Sequence, residues 1–391
     1  MDDQAYVAAV KKALQDCISE LDSVKWLYLI NPDKDFTRNR KITFERFINI
    51  CLQMDGGSLQ NELMKYFDFI EETPTKSAFC QQRAKVSPEA LKFLFSIFTE
   101  MLIGIDAPKT FKGYRLLACD GSDINIPYNP EDTESYHQNK DKRGYNQLHL
   151  NAFFDILNGI YIDCVLEPDS KSHERQAFNT MIDRLSLDTP VIIMADRGYE
   201  GYNLFAHLLK SDQKFIIRLK DDDSNGIIST YEFPYNSKGE FDCDIETTLT
   251  WKQTNYVKEN RQTYTYVPND RFDFYEDGNP YFLLELRILC VEIAHGQFEY
   301  LATNLDRNEF QPAAIKELYH LRWGQLYEPC SYTNFHVLLL CFVRAFIRNS
   351  SCKALPGEVP WQCSFFISRE RELLTVAQLR KITSYRNRYY A

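Results

Sequence analysis

The run from Val191 to Met194 constrains the fold more than any other stretch of this chain. Four consecutive apolar residues, VIIM, suit a strand that is covered on both faces, as strands are in α/β sheets. Asp196 follows where the strand gives way to a Gly-containing turn. Open α/β sheets keep their ligand crevices at this end of the strands, so Asp196 is either a functional group or the N-cap of the next helix.

The predicted elements around this strand run in the order β-β-β-α-β-α-β. In turn they cover residues 114–127, 147–157, 160–168, 173–185, 191–195, 201–210 and 214–219. Within the segment 114–127 the strand itself is expected to end at Asp120, and Asn158-Gly159 marks a hairpin between the second and third strands. In this order the first and fourth strands can lie side by side, in a mixed sheet flanked by helices. The fold class predicted is therefore α/β, with a ribonuclease-H-like arrangement.

Asp120 and Asp196 are the candidate catalytic residues and the candidate metal ligands. Each follows an apolar strand, and a glycine comes within two residues of each. Two buried carboxylates at close range repel each other unless a cation lies between them, and Mg²⁺ or Mn²⁺ prefers hard oxygen ligands. A paired-metal site of this kind activates a water or hydroxyl group in phosphoryl transfer. A glycosidase also uses two carboxylates, but that class gives no reason for the basic patches described next.

Charge is distributed unevenly along the 391 residues. The formal net charge of −10 argues against a generally basic nucleic-acid binder, whereas residues 343–391 carry nine Lys/Arg against three Asp/Glu. Further basic clusters lie at residues 34–46 and 137–145. These patches would hold a polyanion such as DNA locally, and the alternative is that they are solvated surface.

The first hundred residues predict a helical domain. Apolar residues recur at three and four positions from Val7 to Leu21 and again from Phe44 to Leu52, and Ser87-Pro88 has the pattern of a helix start. Short helices joined by Gly-rich turns, with arginines on the entry loop, are compatible with a small DNA-reading module. A plain helical bundle is the alternative.

The sequence carries no sign of a membrane span, a disulfide framework or a zinc site. No apolar stretch approaches the roughly 20 residues that a membrane helix needs, and the start of the chain lacks the features of a signal peptide. The eleven cysteines form no C-x-x-C pair, and no histidine has zinc-ligand spacing to another His or Cys. We expect a cytoplasmic, nucleoid-associated protein.

Three short motifs resemble the signatures of the DDE transposases of bacterial insertion sequences, of the IS-four type. They are ACDGS (118–122), ADRGY (195–199) and LYHLRWG (318–324). The third resembles the start of the Y-x-x-R-x-x-x-E-x-x-x-x-x-x-K signature through Tyr319 and Arg322. The stretches FINICLQMDGGSLQNEL and YLATNL are also similar to that family, so the resemblance covers roughly residues 35–324.

The resemblance implies a ribonuclease-H-like core that binds two Mg²⁺ ions through an acidic triad. It also implies a homodimer that acts on terminal inverted repeats and target DNA, with Arg197, Tyr319 and Arg322 as the candidate DNA-binding residues. The chain then divides into an N-terminal helical, DNA-end-binding domain, the first part of the core, an inserted β-rich segment, the last core helix and a basic tail. These parts cover residues 1–105, 106–219, 220–310, 311–345 and 346–391.

The third signature departs from the family pattern after Arg322. The position of its Glu is occupied by Leu326 and that of its Lys by Thr333, and the nearest acid is Glu328. On a continuing helix a shift of two residues turns a side chain by about 200°, and the proline after Glu328 argues that the helix ends there. Two hypotheses follow: a transposase with a displaced or missing third acid, or a DNA-binding relic that recognises element ends without cutting them.

Overall fold

The computed structural model describes residues 2–54, 57–126, 128–138, 143–171, 173–274 and 278–326. The helices are α1 (Asp3–Ser23), α2 (Phe44–Gln53), α3 (Leu59–Tyr66), α4 (Lys76–Arg83), α5 (Glu89–Ile105), α6 (Glu174–Asp183), α7 (Tyr202–Lys210), α8 (Asn255–Glu259) and α9 (Pro312–Leu326). The strands are β1 (Arg115–Ile126), β2 (Tyr136–His137), β3 (Tyr145–Asp155), β4 (Ile160–Pro168), β5 (Val191–Ala195), β6 (Lys214–Arg218), β7 (Phe241–Thr250), β8 (Tyr264–Tyr266), β9 (Tyr281–Ala294) and β10 (Gln297–Thr303). Glu328 and the predicted tail over 346–391 lie outside the described residues.

Helices α1 to α4 each begin at a short polar side chain that caps the helix. The capping residues, which accept a hydrogen bond from the backbone N–H three residues later, are Asp2, Thr43, Ser58 and Thr75. The apolar faces of α1 to α5 share one core, in which Ile18, Phe47 and Leu94 are buried. Among the described residues, no helix has both the length and the apolar character needed to cross a bilayer.

The central sheet has the strand order of a ribonuclease-H-like fold. Strands β4, β3, β1, β5 and β6 are neighbours in that order, with β3 antiparallel to both β4 and β1. Strands β1, β5 and β6 run parallel to one another. All five residues of β5 are buried, as the apolar run at Val191 predicts. The predicted fold class is confirmed.

Strand β1 is longer than the sequence predicts. The expectation that it ends at Asp120 is wrong, because the next six residues continue to pair with β3 as far as Ile126. Its pairing with β5, in contrast, stops at Ala118, which lies opposite Met194. At Asp120, therefore, β1 is still paired with β3 but is no longer paired with β5.

The strands that follow β6 extend the same sheet. Strand β10 pairs antiparallel with β6, and β9, β7 and β8 follow in order outwards. The segment over 220–310, predicted to be β-rich, thus contributes strands that are hydrogen-bonded to the core. One apolar cluster runs through both parts and contains Phe215 of β6 together with Leu286 of β9.

A buried ion pair ties β1 to the turn between β3 and β4. Arg115 Nε donates to Asp155 Oδ2 at 2.6 Å, and both side chains are almost fully buried. The other oxygen, Oδ1, accepts the backbone N–H groups of Leu157 and Asn158 at 3.1 Å each. One carboxylate thus shapes the hairpin turn and holds the start of the central strand.

We predict that Arg115→Met lowers the free energy of unfolding by about 3–5 kcal/mol, because it leaves the Asp155 carboxylate buried without its cation. Urea unfolding followed by circular dichroism measures the change. Lys12→Met, which removes one partner of the exposed Lys12–Asp16 pair, should alter the free energy by less than about 1 kcal/mol. Equal effects of the two substitutions would contradict this account of the buried pair.

Candidate active site

The parallel register of β1 and β5 brings Asp120 and Asp196 to the same level of the sheet. Ala118 lies opposite Met194, and each aspartate follows two residues later on its own chain segment. Their proximity has an electrostatic effect, since the charge of Asp196 contributes to raising the pKa of Asp120. The two candidate residues therefore come together, as the strand order predicts.

Asp196 also caps the turn that follows it. Its Oδ1 atom accepts the backbone N–H of Gly198 at 2.9 Å, at the start of a short 3₁₀ turn over Arg197–Tyr199. The sequence left open whether this carboxylate caps a helix or faces a site, and both descriptions apply to it. Asp196 caps this 3₁₀ turn and not helix α7, because α7 begins only at Tyr202, after Gly201.

Arg322 reaches the pair of aspartates from α9. Its side chain is 1% exposed, and its Nη1 atom lies 3.8 Å from Asp120 Oδ1. Burial raises the pKa of Asp120, the Arg322 charge opposes that rise, and the net direction is upward. The nearby charges of Asp196 and Glu174 act in the same direction as burial. The site thus holds more negative charge than Arg322 neutralises.

Sequence reasoning missed two residues at this edge of the sheet, Glu174 and His149. Glu174 is in the first turn of α6, and its Oε1 atom lies 3.5 Å from His149 Nε2. The other ring nitrogen, Nδ1, lies 2.7 Å from Asp123 Oδ1. Contact with His149 lowers the pKa of Glu174, and this carboxylate, with that of Asp123, raises the pKa of His149 to about 9 against the effect of burial.

Strand direction was the signal that could have located Glu174. Strand β4 is antiparallel to β3, and β3 is antiparallel to β1, so β4 points the same way as β1 and ends at the same edge of the sheet. Helix α6 is the next α-helix after β4, separated from it by a short 3₁₀ turn over Asp169–Lys171, and it therefore begins beside the aspartates. The sequence of α6 suggested only an amphipathic helix, because its apolar residues are spaced for packing on the sheet.

The glycines after the two aspartates leave room for the Glu174 carboxylate. A Cβ atom at Gly121 would lie 3.0 Å from Glu174 Oε1 and 2.9 Å from His149 Nε2. A Cβ atom at Gly198 would lie 3.1 Å from both Glu174 Oε2 and Asp196 Oδ1. Glu174 therefore occupies the space between the two backbone segments that follow Asp120 and Asp196.

Comparison with known families and structures identifies the domain that carries this site. The profile of the Transposase DDE domain family matches residues 111–324, which is more than half of the chain. The chain belongs to the Transposase DDE domain family. No curated protein matches it. Among solved structures it is similar to the piggyBac transposase in a cryo-EM synaptic complex with hairpin DNA, at 11% identity, covering 88% of this chain and 74% of that chain. The TM-score of 0.39 is too low for any site residue to be transferred between the two.

The donor groups of the DDE domain fit a divalent metal ion, which members of this family generally use. Asp120 and Asp196 supply hard carboxylate oxygens at one edge of the sheet, and Mg²⁺ commonly binds through one or two carboxylates while it keeps several waters. Within the described residues, no three His, Cys, Asp or Glu side chains are grouped so that they could hold an ion together. Binding of an ion by the two aspartates stays a prediction.

The three candidate DNA-binding residues of the DDE domain have different environments. The Arg197 side chain is 55% exposed, and its Nη1 atom lies 3.2 Å from Asp221 Oδ2. Tyr319 is fully buried, which raises the pKa of its hydroxyl to about 12, and Arg322 is buried beside it. DNA contact by these residues stays a prediction, and Arg197 is the member of the set whose side chain is open to solvent.

We predict that the DDE domain loses stability at alkaline pH through His149. Because its pKa rises from 6.5 to about 9 on folding, the contribution is complete below pH 6.5 and is lost as the pH passes 9. We expect the free energy of unfolding to fall by roughly 1–3 kcal/mol over this range, since its partners are partly exposed. Urea titrations at pH 6 and pH 9.5 measure the change.

His149→Gln should remove this part of the pH dependence. His295→Gln, in the exposed turn between β9 and β10, should leave it intact. If His149→Gln keeps the full alkaline loss, another group causes it.

Proposed function

We propose that this chain is a transposase of a bacterial insertion sequence that binds terminal inverted repeats and uses Asp120 and Asp196 for metal-dependent DNA strand cleavage and strand transfer. The observation that carries the proposal is the register of β1 and β5, which brings Asp120 and Asp196 to the same level of the sheet within the region matched by the Transposase DDE domain family. When bound, Mg²⁺ or Mn²⁺ would polarise the phosphodiester and lower the pKa of a water molecule.

The residues of the chain would contribute binding and charge compensation in this reaction. Asp120 and Asp196 would hold the ion, and the buried Arg322 guanidinium would limit the repulsion around Asp120. Arg197, exposed at the turn after β5, would contact a DNA phosphate near the scissile bond. Double-stranded DNA, as element end and as target, is the proposed substrate, and two copies of the chain would act on it.

A second candidate function is a DNA-binding relic that recognises element ends without cutting them. The observation in its favour is that Leu326, the last residue of α9, stands at the position where the third signature of the family has Glu. A paired-metal site that lacks one ligand loses transition-state charge stabilisation, and each 1.36 kcal/mol lost is about tenfold in rate. Binding depends on other surfaces and would persist.

We predict that the full chain binds DNA carrying the ends of its own element but cleaves it slowly in Mg²⁺ or Mn²⁺. A chimera whose residues after Gly324 carry Glu and Lys at the family spacing should cleave about 100-fold faster or more. Asp120→Asn and Asp196→Asn should abolish cleavage by either protein. Denaturing gels of end-labelled DNA measure the rates.

The same gels separate the two candidate functions. Slow cleavage that depends on Asp120 and Asp196 supports the transposase, and binding without any cleavage supports the relic. Rapid Mg²⁺-dependent cleavage by the unmodified chain, abolished by Glu328→Gln, would contradict the prediction and make Glu328 a displaced third acid.

The loop before α2 is the proposed contact of the N-terminal helices with DNA. Arg38 and Arg40 are exposed on it and, with Lys34 and Lys85, line a cavity of about 340 Å³. Buried Asp35 orders the loop by accepting the backbone N–H of Asn31 at 3.0 Å. An ordered loop that presents guanidinium groups around a concave surface suits phosphate oxygens.

We predict that Arg38→Ala/Arg40→Ala weakens binding of the full chain to element ends and makes the dependence of log affinity on log salt shallower by about 2, since two phosphate contacts are lost. Fluorescence anisotropy at several salt concentrations measures the slope. Lys11→Ala/Lys12→Ala, on the exposed face of α1, removes the same charge and should leave the slope nearly unchanged. Equal slopes for the two double variants would argue against this loop as the contact.

A further inference from the structure

Glu174 places a third carboxylate beside the two aspartates, from an element that carries no signature of the family. Its Oε1 atom lies toward Gly121, and its Oε2 atom lies toward Gly198, whose backbone N–H donates to Asp196. A methyl group at either glycine would come within 3.1 Å of a Glu174 oxygen. The two segments that follow the aspartates are thus shaped around this side chain.

Glu174 is held in this position from two sides. His149, whose side chain is about nine-tenths buried, is oriented by Asp123 at Nδ1 and faces Glu174 Oε1 with its Nε2 atom at 3.5 Å. The neighbouring Arg175 donates from Nε to the carbonyl oxygen of Gly198 at 3.1 Å, which ties the start of α6 to the turn after Asp196. The carboxylate itself is partly exposed, so it is both positioned and open to water.

The negative charge around the two aspartates favours binding of a further cation. Three carboxylates lie at this edge of the sheet, and the Nη1 atom of the buried Arg322 lies 3.8 Å from Asp120 Oδ1. His149 compensates Glu174 at Oε1, whereas Oε2 lies toward Gly198 in the turn that Asp196 caps. The proposed divalent ion would lie on the Oε2 side of Glu174.

We propose that Glu174 binds the hydration shell of the divalent cation held by Asp120 and Asp196, accepting hydrogen bonds from water molecules on the ion. This inference rests on the proposed function. The role is indirect because, within the part of the chain that the structure describes, no three acidic or His side chains are grouped for direct ligation. A cation such as Mg²⁺ keeps several waters when bound to two carboxylates, and those waters need acceptors.

This role differs from that of a third direct ligand. A carboxylate that acts through water raises affinity for the ion and orients its hydration shell. It does not fix a second ion or align the attacking oxygen. The presence of Glu174 is therefore compatible with the slow cleavage expected of a chain that has Leu326 at the family Glu position.

Binding of Mn²⁺ to the full chain without DNA tests the inference independently of catalysis. Electron paramagnetic resonance of free Mn²⁺ gives the affinity for each variant. Glu174→Gln, which keeps the shape and removes the charge, should weaken binding about 10- to 100-fold, as loss of an outer partner of a metal site does. Glu285→Gln, on the exposed face of β9, should bind within about twofold of the unmodified chain.

Two glycine-to-alanine variants test the same point without changing an acidic residue. Gly121→Ala introduces a Cβ atom that His149 and Glu174 must move to avoid, so it should weaken Mn²⁺ binding as well. Gly104→Ala, on α5, meets no atom within 4 Å and should not. Melting temperatures of the metal-free proteins provide the structural control, and Glu174→Gln should shift Mn²⁺ affinity even where its melting temperature is unchanged.

The outcomes separate the inference from the proposed function. If Asp120→Asn/Asp196→Asn loses Mn²⁺ binding while Glu174→Gln binds as tightly as the unmodified chain, Glu174 has no role toward the ion and the inference fails. If Asp120→Asn/Asp196→Asn also binds as tightly as the unmodified chain, the metal site of the proposed function fails with it. Weakening by Glu174→Gln and Gly121→Ala, with both controls unaffected, supports the inference.

Discussion

The parallel pairing of β1 with β5 is the constraint on which the site depends. Four register pairs, from Arg115 opposite Val191 to Ala118 opposite Met194, determine how far each strand has advanced when its aspartate is reached. A slip of one residue would turn one of the two side chains to the opposite face of the sheet. Because β5 is buried along its whole length, such a slip would also disturb apolar packing on both faces, so the core protects the geometry of the site.

Local sequence patterns predict much of the fold. The wrong predictions concern features that depend on pairing between strands far apart in the chain. The apolar run at β5 and the turn at Asn158-Gly159 predict their elements correctly. The sequence Asp120-Gly121 suggested the end of a strand, whereas β3 continues to pair with β1 past that glycine. Hydrogen bonds between strands far apart in the chain leave no local trace, which is why the sequence predicts the end of β1 too early.

The same distinction applies to the site. Asp120 and Asp196 could be predicted because each stands at the boundary of an apolar run. The pattern of its own helix does not reveal Glu174, because that helix is patterned for packing, with Phe178 and Met181 buried against the sheet, and only the direction of β4 locates it. His149 belongs to a strand and gave no separate signal. Tyr319 and Arg322 have side chains suited to DNA, yet α9 packs against the sheet through this face and buries both, a tertiary effect that their spacing does not reveal.

The junction between β6 and β10 has a consequence for how this chain could be shortened. Ile216 and Ile217 of β6 are fully buried and pair with Thr303 and Ala302, so the strands after Lys220 cover an edge that the core alone would leave open. Excising those strands would expose a row of unpaired backbone groups beside buried isoleucines, a surface prone to aggregation. The segment is therefore part of the central sheet and not a separable accessory, and a minimal domain would need a substitute for β10.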